Sequence, residues 1–310
     1  MNEITRAVEI LKQGGLVAFP TETVYGLGAD AGNLVAIQKI FKAKNRPIDH
    51  PLIVHFGKSA EMTDWAVEIP EIAWQLAKVF WPGPLTLILK KAPHVSPLLT
   101  GGQETIGLRV PNHPVALELL KQFGRGIAGP SANRFQKISP TTCEAVEEEL
   151  GKTVDWVLDG GSCQVGLEST ILDVSGEVPM ILRPGMISGN RIEEVLRIPL
   201  GKKNAASPRA SGSHALHYAP RTKTRVMMRS DLLHLLQNET KRSVCLLRSP
   251  AFIEKHEIIL MPDNPKEYAR LLYHTLRNID KKNLSQICIE SLPETSEWDA
   301  IRDRLERASS

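Results

Sequence analysis

The chain has 310 residues, 42% of them hydrophobic and 24% charged, with a net charge of +3. That balance is globular. It excludes collagen-like and disordered classes, and no apolar run approaches the roughly 18 residues of a membrane helix. The length predicts about two domains. Glu3 and Glu9 within a helical periodicity are unlike a signal peptide, so a cytoplasmic protein is expected.

Ile4, Ala7, Val8 and Leu11 share one helical face that ends at Gly14-Gly15. Leu16–Phe19 follows as a short buried strand. Helices are predicted around Leu34–Phe41, with Asn33 as N-cap, and over residues 72–80, 115–123, 142–150 and 190–197. Strands are predicted over 52–56, 85–89, 106–110, 126–128, 156–158, 170–174 and 180–182. Several strands follow one another without an intervening helix, which predicts a mixed sheet. Beyond residue 222 the rhythm changes: strands at 225–228, 244–247, 258–261 and 286–289 are spaced by helices at 232–236, 268–279 and 298–305. That spacing predicts a small α/β unit with parallel strands.

The charge is unevenly placed. Gly201 to Arg229 holds seven Lys or Arg and no Asp or Glu. Its composition of Ser, Ala, Pro and Gly cannot bury enough apolar surface to order itself. The expected organisation is therefore a first domain over 1–200, a basic linker over 201–222 and a C-terminal domain over 223–310. Cys143, Cys163, Cys245 and Cys288 are far apart and make no C-x-x-C pair, so four reduced thiols are expected and neither zinc nor a disulfide framework.

No phosphate-binding P-loop, dinucleotide, zincin or nucleophile-elbow motif is present. The chemistry rests on short polar motifs at strand ends, where loops on a rigid scaffold place function. Pro20-Thr21-Glu22-Thr23 leaves a buried strand with two hydroxyls and a carboxylate. Lys42, Lys44 and Arg46 follow a helix and suit a triphosphate, Arg as a planar fork and Lys as a point charge. His55 lies in an apolar strand. Arg109 does too, and a buried guanidinium requires an anion. Gly129-Pro130-Ser131-Ala132-Asn133 and Ser139-Pro140-Thr141 permit close backbone approach to a ligand. Taken singly, each has an ordinary structural explanation.

In order, these motifs resemble those of the YrdC-like threonylcarbamoyl-AMP synthases, in the long form with an appended C-terminal domain. The matching runs are Phe19–Gly26, Lys44-x-Arg46-Pro47, His50–His55, Trp81–Thr86, Gly107–Pro111, Pro130–Asn133, Ser139–Thr141, Gly166–Thr170, Arg183–Gly185 and His217–Pro220. The resemblance spans roughly residues 5–220. It implies a twisted mixed sheet with flanking helices, followed by a small Rossmann-like α/β domain. It also implies a nucleotidyltransferase that makes threonylcarbamoyl-AMP and pyrophosphate from L-threonine, bicarbonate or CO2, and ATP. The product would pass to a tRNA-modifying transferase complex.

Carried over by position, Thr23, His55, Arg109, Gly129 and Ser169 would bind threonine. Arg46, His50, Thr105, Ser131, Ser139, Arg183 and Tyr218 would bind ATP. Lys44, Arg46 and Arg109 are the expected catalytic cations, and Arg109 could fork onto the threonine carboxylate. Mg2+ is expected with the triphosphate, from no assigned ligands, and no tightly bound organic cofactor. His50 stands where Asn is common in the family, Gly129 where Ala is common, and residues 134–138 replace a Ser-Gly-containing loop.

Residues 213–220 gain apolar and aromatic character abruptly, which suggests a lid over the nucleotide with Tyr218 reaching the ligand and Arg209 and Arg221 beside it. Two rival functions are a non-catalytic RNA-binding module and a carbamoyl transferase of the same fold. The first is disfavoured by an acidic balance over 1–200 and few aromatics, the second by the lack of zinc-finger-like Cys sets.

Overall fold

The computed structural model describes residues 2–212, 217–239, 242–251, 256–282 and 284–309. They form two compact units, one of Met1–Phe135 with Ser139–Ser213, the other of Gln136–Ile138 with His214–Ser310.

The first unit is built on nine strands: β1 (Val17–Phe19), β2 (Gly26–Asp30), β3 (Ile53–His55), β4 (Leu85–Lys90), β5 (Thr105–Arg109), β6 (Ile127–Ala128), β7 (Trp156–Val157), β8 (Thr170–Asp173) and β9 (Met180–Arg183). Their order in the sheet is β7-β1-β2-β6-β3-β5-β4-β8-β9. The sheet is mixed, as expected: β3 and β5 run parallel, with His55 opposite Arg109, whereas β6 lies antiparallel to β3. The helices are α1 (Glu3–Lys12), α2 (Leu34–Lys44), α3 (Glu71–Phe80), α4 (Pro97–Thr100), α5 (Pro114–Phe123), α6 (Cys143–Leu150) and α7 (Gly189–Leu196). Asn33 caps α2 through the N–H groups of Val35 and Ala36.

Strand β2 has no counterpart in the periodicity. Its sequence Gly-Leu-Gly-Ala-Asp is short, glycine-rich and buried throughout, so it shows no alternation. The packing explains the composition. A side chain at Gly28 would lie 3.0 Å from the Phe19 ring, so the strand is stripped to backbone where Phe19 crosses it.

Residues 201–212 do not form the free tether that their composition suggests. Arg209 donates to the Gly101 carbonyl at 2.6 Å, and its backbone N–H donates to Gln103 at 2.6 Å. The segment orders by finding polar partners and by seating Ala210 in an apolar cluster with Ile53, Ile88, Ile171 and Leu182.

In the second unit, β10 (Thr224–Met227), β11 (Val244–Leu247), β12 (Glu257–Leu260) and β13 (Ile287–Glu290) form a wholly parallel sheet in the order β10-β13-β11-β12. Helices α8 (Arg229–Asn238), α9 (Pro265–Asp280) and α10 (Asp299–Ser309) accompany it. Asp280 at the end of α9 accepts the N–H groups of Arg221 and Thr222, anchoring the entry to β10. Among the described residues, no helix is long and apolar enough to cross a membrane.

Burial in the first core sets a stability contrast. Leu108, fully buried in β5, should lose about 2–5 kcal/mol on substitution to Ala. Leu34, 51% exposed on α2, should stay within about 0.5 kcal/mol when changed to Ala. Urea unfolding of both variants checks the pair.

Candidate active site

The loop after β1 is wound by its own side chains. Thr21 Oγ1 donates to the Val24 carbonyl and accepts the N–H groups of Thr23 and Val24, and it lies 2.8 Å from Thr23 Oγ1. This hydroxyl-closed turn holds Glu22 inside the protein, where the side chain is 4% exposed. Glu22 Oε1 lies 2.7 Å from Arg109 Nη2. Glu22 Oε2 accepts the Asn112 N–H at 3.0 Å, and Arg109 Nε donates to the Gly83 carbonyl at 3.2 Å. Arg109 therefore has an internal anion. The two-pronged grip on a substrate carboxylate expected from sequence is limited by that partner, because Nε and Nη2 already face Gly83 and Glu22.

His55 ends β3 beside Arg109. Its ring meets Phe19 edge-on at 5.8 Å, and its buried Nδ1 has no hydrogen-bond partner. Burial first, and the neighbouring Arg109 charge second, lower its pKa to about 3. The imidazole is neutral at physiological pH. Gly129 backs the ring: a Cβ there would stand 2.9 Å from Nδ1 and 3.1 Å from Phe19. The missing methyl at Gly129 is what leaves room to seat His55.

Ser169 joins this group to the cations. Its hydroxyl lies 2.8 Å from Thr86 Oγ1, and its carbonyl accepts from Arg183 Nε and Nη2 at 3.2 and 2.9 Å. Arg183 Nη1 donates to the Ser211 carbonyl at 3.0 Å, while Arg46 Nη2 donates to Ser211 Oγ at 3.3 Å. Two arginines from distant parts of the sequence thus converge on one residue, a geometry suited to phosphate oxygens.

Lys44 is placed differently. Its ammonium is fully buried and donates to the carbonyls of Ser131, at 2.5 Å, and Asn133. Burial, then the nearby Arg46 charge, pull its pKa well below the usual lysine value. It ties the Pro130–Asn133 turn together. Ser139 donates to Glu168 Oε1 at 2.5 Å, also within the buried interior. His50 packs edge-on against Phe135 at 5.0 Å. Thr105 and Arg109 sit at opposite ends of β5, about 13 Å apart at strand rise, so the strand does not bring them together.

Tyr218 belongs to the second unit. Its ring stacks on Tyr273 at 6.0 Å, and the Arg304 guanidinium lies 5.0 Å over it. Its neighbour Ala219 bridges to Lys137, also of that unit. Four residues of the expected lid, 213–216, lie outside the described residues.

Glu22, Thr86, Glu168 and Ser211 were not among the site residues expected from sequence. Glu22 is legible in sequence: a buried Arg109 requires an anion, and a carboxylate stands between Thr21 and Thr23.

A family model named for Sua5, YciO and YrdC, described as telomere recombination, matches residues 9–185. A second, described as the threonylcarbamoyl-AMP synthase C-terminal domain, matches residues 187–310. The chain belongs to the threonylcarbamoyl-AMP synthase family. Proteins of that name from Pyrococcus abyssi and Bacillus subtilis are each 38% identical, over 99% of this chain and 94% and 93% of theirs. The crystal structure of P. abyssi Sua5 complexed with L-threonine superposes with a TM-score of 0.90 at 36% identity, covering 99% of this chain and 94% of that one. The family, the mixed sheet and the separate parallel sheet expected from sequence are all found.

Within this family member, His55 makes acid stability testable. Its folded pKa is depressed below the unfolded value near 6.5, so the unfolded chain binds the extra proton between those values. Stability is therefore retained above about pH 6.5 and lost as pH falls toward 3. Denaturant unfolding of wild type and His55→Asn across pH 7 to 4 should show a shallower acid decline in the variant, by on the order of a few kcal/mol.

Proposed function

We propose that the first unit condenses L-threonine with bicarbonate or CO2 and joins the product to the adenylyl group of ATP. The threonine amine and bicarbonate give a carbamate and water. A carbamate oxygen then attacks the α-phosphorus, and pyrophosphate leaves. The observation that carries this reading is the bonding of Arg183 to Ser169. A carbamate built on the amino acid must reach the α-phosphorus, so the two subsites have to share a wall, and Ser169 with Arg183 supplies it.

Thr23, His55, Arg109, Gly129 and Ser169 form the amino-acid side in this reading. Arg46, Arg183, Ser131, Ser139, Thr105 and His50 form the nucleotide side, with Lys44 shaping the turn. The reaction needs no enzyme nucleophile. Catalysis is positioning and stabilisation of phosphate charge. Mg2+ would come with the triphosphate, where one or two protein carboxylates suffice. Glu168, which accepts from Ser139, would be the carboxylate nearest that turn to hold it and would help neutralise phosphate charge. The product serves a tRNA-modifying transferase in the cytoplasm.

ATP–pyrophosphate exchange tests the reading. Exchange should require both threonine and bicarbonate, and an RNA-binding module would show none. 2-Aminobutyrate, which lacks the hydroxyl, should be used about 100-fold less efficiently or worse, because polar groups that meet the hydroxyl would be left unpaired. Equal use of the two amino acids would exclude hydroxyl recognition.

A further inference from the structure

We propose that Arg277 of α9 is a positioning residue for the nucleotide side, acting through the segment 136–138 that leads into Ser139. This rests on reading Ser139 and His50 as nucleotide-side residues.

The starting point is how that segment is held. Gln136–Ile138 is three residues long and packs as part of the second unit, while the residues on either side of it belong to the first. Lys137 forms a parallel β-bridge with Ala219, and the Ala219 N–H donates to the Gln136 carbonyl at 3.1 Å. Helix α9 secures both strands of that bridge. Tyr273 stacks on Tyr218 at 6.0 Å. Arg277, one turn further along the same helix face, donates through Nη2 to the Ile138 carbonyl.

The bridge also holds backbone that would not keep its shape unaided. Of the five non-glycine residues with positive φ among the described residues, two are Gln136 at 66° and Tyr218 at 58°. Left-handed backbone is disfavoured for a residue with a Cβ, and it persists where surrounding contacts over-determine it. A glycine would enter this conformation freely. Gln136 needs the bridge.

Three residues leave little slack, so what fixes 136–138 also fixes its flanks. On one flank the Phe135 N–H donates to the Lys44 carbonyl at 2.8 Å, and the Phe135 ring packs edge-on against His50 at 5.0 Å. On the other, Ser139 is fully buried and donates to Glu168 Oε1 at 2.5 Å. Two nucleotide-side residues thus depend on a segment whose conformation is set in the second unit. With the Ile138 carbonyl released, Gln136 relaxes toward ordinary backbone, and binding ATP then carries the cost of ordering the segment again. Thr23, His55, Arg109 and Ser169 stand on other segments, so the loss falls on the nucleotide.

Steady-state synthesis of threonylcarbamoyl-AMP by the full chain, with KM measured for ATP and for threonine, tests the assignment. Arg277→Met keeps the aliphatic stem and removes the donors. It should raise KM for ATP about tenfold and leave KM for threonine unchanged. Calorimetric titration with a non-hydrolysable ATP analogue should show the same weakening. Arg277→Lys, which still donates to a carbonyl, should recover most of the affinity. Leu272→Ala opens space at a fully buried position of the same helix and removes no bond of the bridge. Assayed below its unfolding temperature, it should leave both KM values unchanged. Should Arg277→Met fail to fold, Arg277→Gln, with its shorter reach, takes its place and should give the same split.

Unchanged ATP affinity in a folded Arg277→Met would overturn the proposal. Equal rises in both KM values, or the same rise in Leu272→Ala, would overturn it too, because Arg277 would then serve the fold alone. The broader reading fails separately, if wild type neither binds the ATP analogue nor forms the adenylate from threonine. Wild type that does both, with Arg277→Met indistinguishable from it, defeats this proposal alone.

Discussion

A guanidinium at the end of a buried strand must find an anion, and the pairing of Arg109 with Glu22 organises much of what surrounds it. Removing one partner from such a pair typically costs about 3–5 kcal/mol, because the other charge remains buried. Holding Glu22 at that depth requires the tight Thr21 turn. The same turn offers the carbonyls of Glu22 and Thr23 to the N–H groups of Val165 and Gly166. The segment that leads to Glu168 and Ser169 is thereby docked on the loop after β1. A single ion pair in the sheet is thus connected, through backbone hydrogen bonds, to the loop after β1 and to the segment that leads into β8.

The cations divide by chemistry. Lys44 is a compact point charge on a flexible stem, and it turns inward to gather two carbonyls. Arg46 and Arg183 present planar forks and meet at Ser211. Burial first, and the Arg46 charge second, hold the Lys44 pKa well below the usual lysine value. Concentrating positive charge in a water-poor site is what phosphate chemistry uses. The lysine is thus committed to shaping the turn, while the two arginines converge on one residue.

The second unit follows a different logic. The inner strands β11 and β13 of its parallel sheet are buried throughout and read as apolar runs, whereas the outer strands β10 and β12 are only partly buried. Cys245 and Cys288 are register partners on adjacent strands and are free thiols. Tyr218 is packed by Tyr273, His217 and Arg304 of the same unit. The apolar turn of composition near residue 217, which looks like a lid in sequence, is explained within that unit by this aromatic seat.

Periodicity alone located every long helix and nearly every strand, because amphipathic repeats and short apolar runs record burial locally. The motif order carried the family, since its polar motifs cluster at strand ends. β2 escaped because its glycines are a response to Phe19, a contact that no local pattern encodes. Whether Arg109 faces a substrate or a neighbour was likewise undecidable from β5, as the anion that meets it stands 87 positions away. The inward turn of Lys44 and the meeting of Arg46 with Arg183 belong to the same class. Sequence determined which charges were buried and what chemistry they could do. Only the tertiary structure decided which charges are already satisfied by one another, because pairing depends on distances between segments that the chain order does not contain.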